Sequence, residues 1–202
     1  MKRWMLLALL LATPLHAQTA VTLWLSSQQN NGGDSFPASL PNATTEFDDG
    51  SGYGASISRM FGARLSGELS IFRTTSGGEL RASNTTLADL GDVELTPIMA
   101  MGRYHFRPDA PLDVYLGAGA AYVMTGDLDS ADLRADGLAP LELDEETAMV
   151  FGGGIIWTFS ERLAVTLDAR VLPLTLHARA NGQSADAGID PLIVSAGLRI
   201  RF

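Results

Sequence analysis

The chain has 202 residues, 46% of them hydrophobic, no cysteine and a formal charge of −9 at pH 7. The missing cysteine excludes disulfides, thiolate nucleophiles and cysteine-based metal sites. The acidic balance argues against nucleic acid, which is bound by a basic face, and 21 glycines suit close strand packing and turns more than helices.

The chain opens on Lys2 and Arg3, continues with an apolar run over residues 4–12 and then reads Leu15-His16-Ala17. A basic start, a short apolar core and a small residue before the cut describe a secretory signal. Residues 1–17 are therefore expected to be removed, with residues 18–202 forming one barrel domain. The apolar run is shorter than the ~20 residues a membrane-spanning helix needs, and no later stretch is apolar enough for one. An exported chain that enters a membrane without a helix must close a barrel, because hydrocarbon satisfies no free backbone group.

Alternation with period two recurs from residue 21 onward, the mark of strands with two unlike faces. Phe61, Phe106, Phe159 and Phe202 each end such a run, and the first three precede short polar turns. Two junctions nearly repeat: Phe61-Gly-Ala-Arg64-Leu65 and Phe159-Ser-Glu-Arg162-Leu163. This is the rhythm of transmembrane hairpins joined by short periplasmic turns. The expected fold is all-β, an eight-stranded antiparallel transmembrane β-barrel, with strands near 21–27, 52–61, 64–74, 93–106, 113–125, 147–159, 163–178 and 189–202.

Residues 27–51 and 126–146 then fall outside the cell. The first holds Asn30-Asn31-Gly32-Gly33-Asp34 with Pro37 and Pro41; the second is acidic, with Asp127, Asp129, Asp132, Asp136, Glu142, Asp144, Glu145 and Glu146 against Arg134. Hard cations take carboxylate oxygens, but Asp127-Leu128-Asp129 does not continue into a calcium loop. Solvated surface charge is the expectation, and no metal site.

The last run fixes the faces. Leu192, Val194, Ala196, Leu198, Ile200 and Phe202 share one face; Pro191, Ile193, Ser195, Gly197, Arg199 and Arg201 share the other. The same rule sends Val114, Leu116, Tyr122, Val165 and Leu167 outward and Asp113 and Tyr115 inward. An arginine facing lipid at the midplane costs about 2–4 kcal/mol, which places Arg103 and His105 inside and Tyr104 and Phe106 outside. The interior then gathers Glu68, Arg103, His105, Asp168, Arg170, Arg199 and Arg201, and charges buried together are expected to pair. The expectation is a plugged lower lumen with low ion conductance.

Leu95-Thr96-Pro97-Ile98-Met99 with Arg103-Tyr104-His105-Phe106, then Tyr115-Leu116-Gly117-Ala118-Gly119, and the ending Asp190-Pro191 through Ala196-Gly197 to Phe202, together resemble the OmpW family of outer-membrane proteins. The resemblance runs from about Leu95 to Phe202. It implies a Gram-negative outer-membrane barrel with a hydrophobic channel for small hydrophobic molecules. Trp24, Pro97, Met99 and Met101 fit that implication, as an apolar upper lining above the charges. Pro97, Pro173 and Pro191 fall at a similar height in the outer half. Proline cannot donate to a ladder, so these three mark a possible lateral opening toward the bilayer.

The function expected is passive passage or binding of hydrophobic molecules in a porin-like barrel; the alternative is a structural or adhesive barrel acting through its extracellular loops. A lipid-modifying enzyme needs a base within reach of a nucleophile. His16 leaves with the signal, His105 has no serine near it in the sequence, and His177 is near the rim with Ser184 in the following loop, so no catalysis is expected. No cofactor is implied. The expected partners are outer-membrane lipid and lipopolysaccharide, small hydrophobic solutes and, through the terminal Phe202, the barrel-assembly machinery.

Overall fold

The computed structural model describes residues 18–31, 43–82, 85–125, 142–143, 145–180 and 183–202. The expected signal segment, residues 1–17, and most of the acidic stretch at 126–146 lie outside the described residues. Every described element is a strand: β1 (Thr19–Asn31), β2 (Ala43–Phe47), β3 (Gly50–Met60), β4 (Leu65–Ala82), β5 (Thr85–His105), β6 (Leu112–Thr125), β7 (Glu142–Leu143), β8 (Glu146–Thr158), β9 (Leu163–Val171), β10 (Leu174–Ala180) and β11 (Gln183–Arg201).

Eight of them, β1, β3, β4, β5, β6, β8, β9 and β11, form a closed antiparallel barrel. Closure is made by β1 against β11, in continuous register from Ala20↔Arg201 to Asn31↔Asp190. The remaining three extend the wall outward. β2 pairs with the upper part of β4, β10 continues the line of β9 and pairs with β11, and β7 pairs with β10.

The eight expected strands are present, and several run further than their sequences suggested. β1 has 13 residues rather than the short 21–27. β4 and β5 form a ribbon up to Ala82↔Thr85, and β11 starts at Gln183, so Ser184 is on a strand and not in a loop. The Gly- and Ser-rich upper segments carry no apolar alternation because they meet no hydrocarbon. Their backbone groups are satisfied by cross-strand pairing all the same.

Side-chain alternation follows the pleat. Outward residues such as Leu25, Leu69, Leu116, Phe151 and Leu167 are exposed to the surroundings, and the residues between them are buried. Such a belt suits hydrocarbon and no aqueous medium. The exposed Arg73–Glu94 pair, 2.6 Å apart on the outside of β4 and β5, sits above the belt. At the other end, the four phenylalanines fasten the periplasmic rim. The amides of Phe61, Phe106 and Phe159 donate to the carbonyls of Leu65, Val114 and Leu163, and that of Phe202 to Thr19 of the first strand. Their rings face outward beside Tyr104 and Trp157, an aromatic girdle at the interface.

Candidate functional site

Alternation delivers one inward side chain from every second position of eight strands, and at mid-height these are too many and too large for a pore. Glycines make the room. A Cβ on Gly154 would lie 2.6 Å from the Tyr115 hydroxyl, and one on Gly152 would lie 3.0 Å from Cγ of Arg170. Gly152 and Gly154, part of a three-glycine run in β8, thus let the longest side chains cross the lumen.

Four charges meet there. Glu68 Oε1 accepts from Arg103 and, at 3.0 Å, from Nη2 of Arg170. Arg170 also donates through Nε to Asp168 and through Nη1 to Ser70 at 2.9 Å. Arg103 Nη2 stands 3.7 Å from Asp168 Oδ2. The second oxygen of Glu68 accepts from Ser56, which in turn accepts from the indole N–H of Trp24 at 2.9 Å. Tyr115 donates to Asp168, with the Arg103 guanidinium 4.5 Å from its ring centroid. Two positive and two negative charges, all buried, are tied by hydrogen bonds on several sides. That is the condition under which buried ion pairs are tolerated.

The seven expected plug residues therefore separate. Glu68, Arg103, Asp168 and Arg170 make the network. His105 forms a lower trio instead, its Nδ1 facing Asp113 at 2.5 Å and its Nε2 facing Ser66 at 2.8 Å, so a serine 39 positions away stands beside it where the sequence showed none nearby. Arg199 and Arg201 line a periplasmic vestibule together with His105 and Asp113, and Arg201 donates to Thr158. Sequence reasoning turned Tyr115 and Asp113 inward without giving them a part in the network. Ser56, Ser70 and the glycines of β8 were missed altogether. The available signal was the spacing: small inward residues face large charged ones across the ladder, as Gly152 faces Arg170.

Above the network the lumen turns apolar. Trp24, Phe72, Leu95, Met99, Met101, Val123, Val150, Leu172, Leu174 and Ile193 form one buried cluster, and Pro97 is buried on the same face of β5. Trp24 and Phe72 serve both levels, because the Arg170 guanidinium lies 5.4 and 5.0 Å from their ring centroids. The β1–β4 side of this level is polar: Thr74 donates to Gln28 at 2.6 Å. The apolar side is that of β5, β6, β8 and β9.

Pro97 and Pro191 lie within β5 and β11, and Pro173 lies in the break between β9 and β10. Around Pro97 the β4–β5 ladder skips from Ile71↔Ile98 to Thr74↔Leu95. Pro173 separates β9 from β10, and across the gap the Leu172 amide donates to the Pro191 carbonyl at 3.2 Å. Above it β10 and β11 pair again from Leu174↔Ile189 upward. The interruption lies on the other side. The β8–β9 ladder ends at Phe151↔Val171, and among the described residues no ladder pair joins β8 above that point to β10. Ala148 and Val150 on one bank and Leu172 and Leu174 on the other, all buried, border this seam. His177 pairs in register with Asp186 and Arg179 with Ser184, so the backbone does not set His177 opposite a serine.

A closed eight-stranded wall, an outward apolar belt, a girdle of aromatics and a filled lower lumen define a bacterial outer-membrane β-barrel of the small class. Solved barrels share the fold. The outer membrane protein OprG from Pseudomonas aeruginosa superposes with a TM-score of 0.79 at 14% identity, covering 92% of this chain and 96% of that one. AlkL gives 0.67 at 18% identity, with coverage of 94% and 93%. The E. coli outer membrane protein W gives 0.52 at 15%, with coverage of 93% and 100%. The chain belongs to the OmpW family, whose pattern matches residues 28–202. No curated protein sequence matches it significantly.

Proposed function

We propose that the barrel takes small hydrophobic molecules into its upper lumen and releases them sideways through the seam between β8 and β10. The observation that carries this reading is the meeting of two features: the apolar cluster reaches the wall at Ala148, Val150, Leu172 and Leu174, and the ladder is missing there. From Thr147 to Val150, at ~3.3 Å per residue, the β8 edge lacks a β10 partner over roughly 13 Å. The hydrogen-bonded charges below favour exit through this gap over travel down the axis, since an apolar solute gains nothing by displacing them. Met99 and Met101 are unbranched and polarizable, so they can reshape around different guests. Membership in the OmpW family, whose barrels are generally transport or structural proteins, is consistent with this role.

The test is dye uptake into proteoliposomes holding the folded barrel. A lipophilic naphthylamine dye should enter faster than into protein-free vesicles. Ala148→Trp, which fills the bank of the seam, should slow entry about fivefold, the equivalent of ~1 kcal/mol. The double change Pro173→Val and Pro191→Val, which restores backbone donors to the β9–β10 line and to β11 at this height, should slow it too. Unchanged uptake in both variants sinks lateral release. A high, unselective ion conductance in planar bilayers sinks the plugged lower lumen.

A further inference from the structure

At the periplasmic end lies a cavity of about 220 Å³ for which hydrophobic passage has no use. Arg199 and Arg201 of β11 line it, with Met60 of β3 and Ile156 of β8 on opposite walls, and Asp109 and Asp113 in and just after the β5–β6 turn.

Arg199 is 7% exposed, and no hydrogen bond or ion pair joins its guanidinium to the described residues. The neighbouring carboxylates are already engaged. Glu68 accepts from Arg103, Arg170 and Ser56, and Asp168 from Arg170 and Tyr115. Asp113 serves His105 and the Arg107 amide. Arg103 and Arg201 repel Arg199, while Glu68 attracts it. Thr22, which faces Arg199 in the β1–β11 ladder, and Ser58 on β3 carry buried hydroxyls with no partner. A guanidinium offers five N–H donors and no acceptor. Arg199 lines the cavity and bonds no acceptor of the described residues, so its donors are left for a guest in that space.

We propose that this vestibule binds the carboxylate of a small amphipathic acid. Arg199 takes the carboxylate in its planar fork, Arg201 adds a second positive charge at the mouth, and Met60 and Ile156 hold the short aliphatic part. Asp109 and Asp113 in the same lining oppose a doubly charged phosphate, which selects for a single negative charge.

The experiment titrates butanoate into the folded barrel in an uncharged maltoside detergent at low salt, read from backbone amide resonances. Butanol and inorganic phosphate serve as comparison probes. Butanoate should shift the amides of residues 199–201 saturably. Arg199→Gln should weaken binding about tenfold, and Arg201→Gln by less. Arg199→Lys keeps the charge and loses the fork, so it should also bind more weakly; it decides the matter where Arg199→Gln fails to give the folded band on a gel. No saturable shift, butanol binding as well as butanoate, or phosphate binding as tightly would each overturn the proposal. So would unchanged affinity in a folded Arg199 variant.

Discussion

The two levels of the lumen are filled in opposite ways, and the difference shows what each can do. The lower level is held by directional bonds between charges: Glu68 alone joins Arg103, Arg170 and Ser56. Each member has several partners, so moving one strands the others, and the level behaves as a unit. The upper level is held by contact between apolar side chains, Met99 and Val150 among them. Such contacts have no fixed direction and re-form around a guest. On the proposed function, one level excludes by being specified and the other admits by being unspecified.

The contrast can be broken most forcefully from below. Arg170→Ala leaves Glu68 and Asp168 with one buried cation between them, and breaking a buried pair costs about 3–5 kcal/mol. The urea midpoint of the heat-modifiable folded band should fall accordingly, and passive ion conductance should rise. Gly197→Val acts at the junction of the levels. A Cβ there would meet the Trp24 ring at 2.7 Å and the Leu23 carbonyl at 2.9 Å. Overpacking of this kind costs about 1–3 kcal/mol, and Trp24 fluorescence should report the displaced ring. The smallest effect belongs to the upper level. Met99→Leu conserves volume and should cost under ~1.5 kcal/mol. A drop as large as that of Arg170→Ala would erase the proposed distinction between a specified and an adaptable level.

Much of this architecture could be read from the residues. Alternation gave the faces because hydrocarbon tolerates so little on one side. The phenylalanines at 61, 106, 159 and 202 marked the periplasmic rim because an aromatic ring suits the interface. Placing Arg103 inside needed only the cost of the alternative. What stayed hidden has physical causes too. β4 runs on to Ala82 and β5 begins at Thr85, yet strands that leave the membrane lose the pattern that reveals them. The inward charges were known, but not their partners. Arg170 and Ser70 are 100 positions apart in the chain, and only the stagger of the closed wall brings them together. The prolines drew notice to one height, and near it the ladder is absent toward β8, a fact of pairing that no single strand encodes.

The junction of β1 with β11, running in unbroken register from Ala20↔Arg201 to Asn31↔Asp190, bears on how the protein comes into being. β1 must wait for β11, which follows it by more than 150 residues, before either has its final neighbour. Until then both present raw hydrogen-bonding edges, the surfaces most prone to mispair with other chains. Losing β11 would leave the sheet unsealed, so closure is all-or-none and both edges need guarding until that strand is in place.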